Sequence, residues 1–328
     1  MIIVRTPLRV SLFGGGTDFP DYFKRNGGAV IGSAIDKYIY HTVSRFPSWL
    51  FEHKIRVSYR VVEQVSDVEL IQHKPFREIL KYHGITENVE INLASDLPSF
   101  TGLGSSSAFT VGLIKGLNAF KGQLIDTASL ARLAIHLERN VLGESVGFQD
   151  QIFASYGGFN HINFSGDNGF EVERINVNQD MIRELSDCLM MYYTGMTRRA
   201  SDIEEAKLKN IEGNVAALDR MHECVSEALE ILSKGTNLDE LGYLLDESWK
   251  LKRLLGGDVT NPKIDEIYRH GIENGALGGK LLGAGGGGFF LFYVPKKSRA
   301  RFREAFLKMH EVPFSFNAQG STVIHAGV

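Results

Sequence analysis

Six consecutive residues, Gly102-Leu103-Gly104-Ser105-Ser106-Ser107, have the types needed to hold a phosphate. They follow a strand pattern and open a helix pattern. Glycines let a backbone approach a ligand closely and turn its N–H groups inward. A helix N-terminus adds partial positive charge. Serine hydroxyls donate to phosphate oxygens or bind magnesium. A tight turn with a serine N-cap would use the same residues, so the segment alone establishes a helix start suited to an anion. It is not a Walker A loop, because no Gly-Lys-Ser/Thr follows. A literal G-x-G-x-x-G occurs at Gly283-Ala284-Gly285-Gly286-Gly287-Gly288. A dinucleotide site needs that motif between a strand and a helix. Here it feeds the apolar strand pattern Phe289 to Val294, which argues against a Rossmann site.

Three carboxylates and one cation stand out beside the loop. Glu138 falls in a helical pattern, near Ala131, Ala134, Ile135, Val141 and Leu142 on one face. A carboxylate there is costly to bury unless it is paired or metal-bound. The ordinary reading is an edge residue reaching solvent near Arg139. Asp150, in Gly147-Phe148-Gln149-Asp150-Gln151, has the ordinary role of a helix cap. Asp18, after Gly14-Gly15-Gly16-Thr17, suits an N-cap for Phe19 to Arg25. Arg9 starts an apolar strand, where a buried cation needs an acidic partner.

These residues need elements to position them. Ile2 to Val4 and Val10 to Phe13 read as short strands, and Ala29 to Phe46 as an extended strand pair. Asp67 to His83 reads as a helix ended by Gly84. Val89-Glu90-Ile91-Asn92-Leu93 alternates as a half-buried strand. Ser105 to Lys121 reads as a buried helix. Asp126 to Leu142 reads as a second one, capped by Asp126 or Thr127 and stopped at Gly143. Asp187 to Thr194 reads as a buried strand containing Cys188. Helical patterns follow at Glu204–Lys209, Val215–Leu232 and Leu238–Leu255. A helix, Ser298 to Met309, and a strand, Thr322 to His325, close the chain. The texture changes near Arg183, which divides the chain into domains at 1–183 and 184–328. No internal repeat or low-complexity segment is evident.

Composition bounds the function classes. The 328 residues are 43% hydrophobic and 23% charged, ordinary values for a folded protein of two domains. The formal net charge of -3 gives no electrostatic footprint for nucleic acid or an anionic membrane. No apolar run approaches the roughly 20 residues that span a bilayer. The N-terminal Met1-Ile2-Ile3-Val4-Arg5 reads as a strand and not a signal peptide. Two cysteines, Cys188 and Cys224, offer neither metal-ligand spacing nor a disulfide framework, which fits a reducing cytoplasm.

Four segments together resemble the GHMP kinases, the superfamily of galactokinase, homoserine kinase, mevalonate kinase and phosphomevalonate kinase. They are Pro7 to Asp18, Pro98 to Ala108, Glu138 with Gly147 to Gln151, and Lys280 to Gly288. They span nearly the whole chain. Arg5 to Arg9, Phe13 to Asp18, Ile35 to Tyr38, and Tyr193-Thr194-Gly195 with Arg198, Ala200 and Ser201 look like the D-glycero-D-manno-heptose 7-phosphate kinases. Fucokinase-like members share parts of this wording.

The resemblance implies an α+β fold of two domains, ribosomal-protein-S5-like and then ferredoxin-like. It implies ATP and Mg2+, with Gly102, Leu103, Gly104, Ser105, Ser106 and Ser107 around the ATP phosphates. Ser106, preferred over Ser105, and Glu138 would hold magnesium. Asp150 would be the general base, with Arg9 beside it stabilising developing charge. Gly15, Gly16, Thr17, Asp18, Gly285 and Gly286 would meet the sugar. A substrate phosphate needs cations, and the candidates are Lys37, Arg198, Arg199, Lys252 and Arg253. Arg198 leads, because it follows the strand end at Thr194-Gly195 and suits bidentate phosphate contact. Lys252 and Arg253 also suit a solvated surface. The implied partners are ATP and a sugar phosphate, and a homodimer is compatible with the sequence. Two departures stand: Ser107 replaces the alanine of many relatives, and the Glu138-to-Asp150 interval is one residue longer than in mevalonate kinase. A kinase of a free sugar, a non-catalytic sugar and ATP sensor, and a decarboxylase are the competing readings. The retained Arg9, Glu138 and Asp150 favour the enzyme over a sensor. The Gly-Gly-Gly-Thr-Asp opening argues against the decarboxylase.

Overall fold

The first strand, β1 (Ile2–Phe13), is one continuous strand of 12 residues where the sequence suggests two short ones. It belongs to a computed structural model that describes residues 1–167, 169–196, 211–235, 237–256 and 259–327. Pro7 interrupts the apolar pattern but not the strand. After the helix α1 (Pro20–Asn26), the chain returns as β2 (Gly28–Arg45), antiparallel to β1. The register slips between Pro7 and Leu8, where proline has no N–H to give the ladder.

β2 is also a single strand of 18 residues and not a pair. It stays continuous because its two halves serve different neighbours. Then come β3 (Ile55–Ser58), β4 (Val62–Val65), the helix α2 (Lys74–Tyr82) and β5 (Val89–Ser95). The expected helix from Asp67 is shorter: a 3-10 turn at Val68–Leu70 precedes it, and Pro75 sets the start of α2. α3 (Ser105–Phe120) follows the phosphate-type loop. α4 (Thr127–His136) is capped by Asp126, which accepts from the Ser129 N–H at 2.9 Å. Its continuation, Leu137–Val141, is a π turn. α5 (Gln149–Tyr156) leads to β6 (Phe159–Ser165) and β7 (Gly169–Arg174). β2 pairs β6 through residues 28–33 and β5 through residues 39–45.

α6 (Gln179–Cys188) precedes β8 (Leu189–Tyr193), so Cys188 ends a helix instead of lying in a strand. Helices Ile211–Lys234, Asp239–Leu254 and Pro262–Glu273 come next. The expected helix at Glu204–Lys209 lies outside the described residues. β9 (Gly278–Leu281), β10 (Phe289–Tyr293) and β11 (His310–Glu311) join β8 in an antiparallel sheet of order β11-β8-β10-β9. The final strand, β12 (Thr322–Ala326), returns to the first sheet beside β1. That sheet has eight strands in the order β12-β1-β2-β5-β3-β4, with β6 and β7 branching from β2. The segment 184–328 therefore contributes to both sheets. The fold is α+β, as expected.

α3 packs on β1 and β2. A Cβ at Gly112 would lie 2.6 Å from both His41 Nδ1 and Thr6 Oγ1, so glycine allows this close approach. The packing sets the first turn of α3 over β1, where Arg9 lies. Among the described residues no helix is long and apolar enough to cross a membrane.

Candidate active site

The loop before α3 is anchored from below. Leu103 is fully buried, and its carbonyl accepts from the Arg9 N–H at 3.0 Å. Gly104 takes the N-cap position with a left-handed backbone and no capping side chain. A serine N-cap is therefore absent, and Ser105, Ser106 and Ser107 form the first turn. All three line one cleft with Gly102 and Gly104. The third glycine segment docks on this loop: a Cβ on Gly102 would meet the Leu282 carbonyl oxygen at 2.3 Å.

Arg9 finds its acidic partner in Asp150. Nε donates to Oδ1 and Nη2 to Oδ2, both at 2.7 Å, while Nη1 donates to the Gly102 carbonyl at 2.5 Å. Arg9 is buried, whereas Asp150 keeps 25% of its side chain exposed to the cleft. A two-point guanidinium–carboxylate contact fixes the plane of the carboxylate. Asp150 thus caps nothing; it sits in the first turn of α5 and is held by β1.

Asp18 is not the N-cap of α1, whose cap position is Phe19 with no side-chain bond. It turns inward, accepting from the Gly16 N–H at 3.0 Å and the Gln149 N–H at 3.2 Å. The aspartate staples the glycine loop to the start of α5. Burial raises its pKa, with the Asp150 charge acting in the same direction and the two N–H bonds opposing. Asp18, Gly15 and Gly16 all line the cleft.

Glu138 does not reach solvent at an edge; it is 1% exposed. The π turn rotates it into the junction of α3, α4 and α5, a distortion often found at functional sites. Ser107 Oγ donates to its Oε2 at 2.8 Å, and the Gln151 amide donates to the same oxygen. Glu138 Oε1 is buried with no hydrogen-bond partner. Burial pushes the Glu138 carboxyl up to about 7, against the nearby Thr110 hydroxyl and the bonds from Ser107 and Gln151; the Thr110 hydroxyl itself donates to the Ser106 carbonyl at 3.3 Å. Glu138 lies behind the cleft wall and does not line it; Ser106, exposed, stands in front.

Several expected contacts fall elsewhere. The Thr17 hydroxyl is buried 2.8 Å from the Gly14 and Ala29 carbonyls, so it braces the turn and does not line the cleft. Lys37 turns to its neighbour Asp36 at 3.3 Å and is not a cleft residue. Gly285 lines the cleft but Gly286 does not; its N–H donates to the Val259 carbonyl. Arg253 pairs with Asp265 at 3.2 Å and is also outside the cleft. Arg198 and Arg199 lie outside the described residues.

Of the expected cations Lys252 does reach the cleft, buried instead of solvated, and further groups join it that residue types alone did not single out. Lys252 is buried there, donating to the Leu281 carbonyl at 2.8 Å and to that of Gly283. Lys280, also buried, donates to the Leu12 carbonyl at 2.8 Å. Ser11 Oγ and Gln149 Oε1 are buried without hydrogen-bond partners, and both residues line the cleft beside Gly15. Unpaired polar atoms in a cleft suit a polyhydroxyl ligand. Ser11, Lys280 and Gln149 all lie inside the segments that carry the family resemblance.

The cleft thus joins a helix N-terminus, a glycine loop, a clamped carboxylate and three buried cations. That arrangement suits transfer of a phosphoryl group to a hydroxyl.

Comparison with known proteins agrees with this chemistry. The description "GHMP kinases N terminal domain" matches residues 71–158, and "GHMP kinases C terminal" matches residues 224–311. D-glycero-alpha-D-manno-heptose 7-phosphate kinase of Campylobacter jejuni is 32% identical, covering 97% of this chain and 97% of that protein. L-fucokinase/L-fucose-1-P guanylyltransferase of Bacteroides fragilis is 26% identical over 91% of this chain and 35% of its own length. The crystal structure of a D-glycero-D-manno-heptose 1-phosphate kinase from Bacteroides thetaiotaomicron superposes over 100% of both chains. Its TM-score is 0.81 at 23% identity, which speaks for the fold.

Proposed function

The chain belongs to the GHMP kinases, and on that premise we propose that it transfers the γ-phosphoryl group of ATP to the anomeric hydroxyl of D-glycero-D-manno-heptose 7-phosphate. The product is the 1,7-bisphosphate, on the route to nucleotide-activated heptose. The observation that carries the chemistry is the Arg9–Asp150 clamp at the mouth of the Gly102 to Ser107 loop. The extent of identity to the Campylobacter heptose 7-phosphate kinase supports the choice of sugar.

Phosphoryl transfer asks the protein for positioning and charge neutralisation. The N–H groups at the start of α3 and the Ser105 and Ser106 hydroxyls cradle the ATP phosphates. Lys252 and Lys280 add positive charge at the cleft floor. Arg9 occupies one lone pair on each oxygen of Asp150 and leaves another on each. Asp150 accepts the proton of the sugar hydroxyl there as general base. An anomeric hydroxyl is more acidic than an ordinary alcohol, so a carboxylate suffices. Asp18, Ser11 and Gln149 orient the sugar hydroxyls. Arg198 takes the substrate phosphate.

Ser106 and Glu138 would hold Mg2+. Their fit to a hard cation rests on oxygen donors alone and on the buried, unpartnered Glu138 Oε1. Among the described residues no group of three or more His, Cys, Asp or Glu gathers for a metal. Held there, Mg2+ would supply positive charge that offsets that of the phosphates. Both cysteines are buried free thiols, which agrees with a cytoplasmic enzyme.

An ADP-release assay over heptose 7-phosphate, hexose phosphates and free sugars tests this reading. Turnover should be highest with heptose 7-phosphate. A preference for free fucose or galactose would overturn the substrate, and no turnover with any sugar would favour a sensor.

A further inference from the structure

Ser107 stands where many GHMP kinases have alanine, and its hydroxyl has a defined use. It donates to Glu138 Oε2 at 2.8 Å, and the Gln151 amide donates to that same oxygen. The three side chains are 3%, 1% and 0% exposed, in the order Ser107, Glu138 and Gln151. They come from three elements: the first turn of α3, the π turn after α4, and the first turn of α5. Ser107 belongs to the phosphate loop. Gln151 directly follows Asp150.

Two donors on one oxygen decide what the other oxygen does. Rotating the carboxylate would break both bonds, so Oε1 is held as the unpartnered atom. A buried acceptor left without a donor costs about 1–3 kcal/mol, and more for a charged group. Such an atom persists where a ligand completes it. Groups behind a metal ligand commonly fix its orientation in this way.

We propose that Ser107 and Gln151 are positioning residues that hold Glu138 with its unpartnered oxygen available to the magnesium of MgATP. The same cluster ties the metal ligand to the phosphate loop and to the helix that carries Asp150. Both side chains are turned to Glu138, and Gln151 does not line the cleft. An alanine at position 107 could not make this bond. The proposal rests on Glu138 being a magnesium ligand.

Manganese(II) serves as the probe. Its binding is followed by EPR on the full chain saturated with a non-hydrolysable ATP analogue. Ser107→Ala should weaken Mn2+ binding roughly tenfold. Glu138→Gln should weaken Mn2+ binding by itself, and adding Ser107→Ala should then change nothing further. Ser107→Ala with wild-type Mn2+ affinity, or with the same loss in both backgrounds, overturns the proposal. Wild-type Mn2+ affinity in Glu138→Gln alone removes Glu138 as a ligand, and the proposal with it.

Discussion

Replacing Glu138 with glutamine should stabilise the metal-free protein above neutral pH. The side chain is almost fully buried, and burial pushes its carboxyl from the ordinary 4.5 up to about 7. Between those values the folded chain keeps a proton that the unfolded chain has released. Stability therefore falls as pH rises through this window, and the full penalty is present above about pH 7. The displacement corresponds to roughly 3 kcal/mol, at about 1.4 kcal/mol per pH unit. Glutamine has no charge to bury and keeps an oxygen for Ser107 and Gln151. Urea unfolding in the presence of a chelator measures the difference. Relative to wild type, Glu138→Gln should gain about 2–3 kcal/mol near pH 8 and close to nothing near pH 4.5. A gain independent of pH, or a less stable variant near pH 8, would refute the electrostatic argument.

Other perturbations separate the parts of the cleft. Gly104→Ala puts a Cβ 3.1 Å from Arg9 Cγ and 3.2 Å from Asp150 Oδ2, at a backbone φ of +71°. It should cost about 1–3 kcal/mol in thermal unfolding and raise KM for ATP. Ser11→Ala and Gln149→Leu should raise KM for the sugar several-fold and leave that for ATP unchanged in steady-state kinetics. Lys37→Ala should alter neither KM by more than about twofold, consistent with the small effects of surface substitutions, because Lys37 is turned to Asp36. Arg198→Ala should raise KM for the sugar phosphate far more than for ATP, and an unchanged value removes it from the substrate site.

The features legible in the sequence are local or carried by the family motifs. The phosphate loop at the start of α3 follows from Gly-Leu-Gly before serines. The need of Arg9 for an acid follows from a cation in an apolar strand, and Asp150 meets it. Long-range convergence was not legible. Helical periodicity puts Glu138 beside apolar neighbours but cannot show three helices closing over it. Asp18 looks like a cap because its use, the Gln149 N–H, lies 131 residues away. Pro7 suggests a break because a register slip depends on the partner strand. The return of β12 to β1 is likewise invisible to any local pattern.

Phosphoryl transfer to the anomeric hydroxyl can be followed by 31P NMR on wild type and Asp150→Asn with MgATP and D-glycero-D-manno-heptose 7-phosphate. A new phosphate ester coupled to the anomeric proton should appear, formed at least about 10²-fold more slowly by the variant. ATP loss to inorganic phosphate without that ester, or an equal rate in Asp150→Asn, would contradict it.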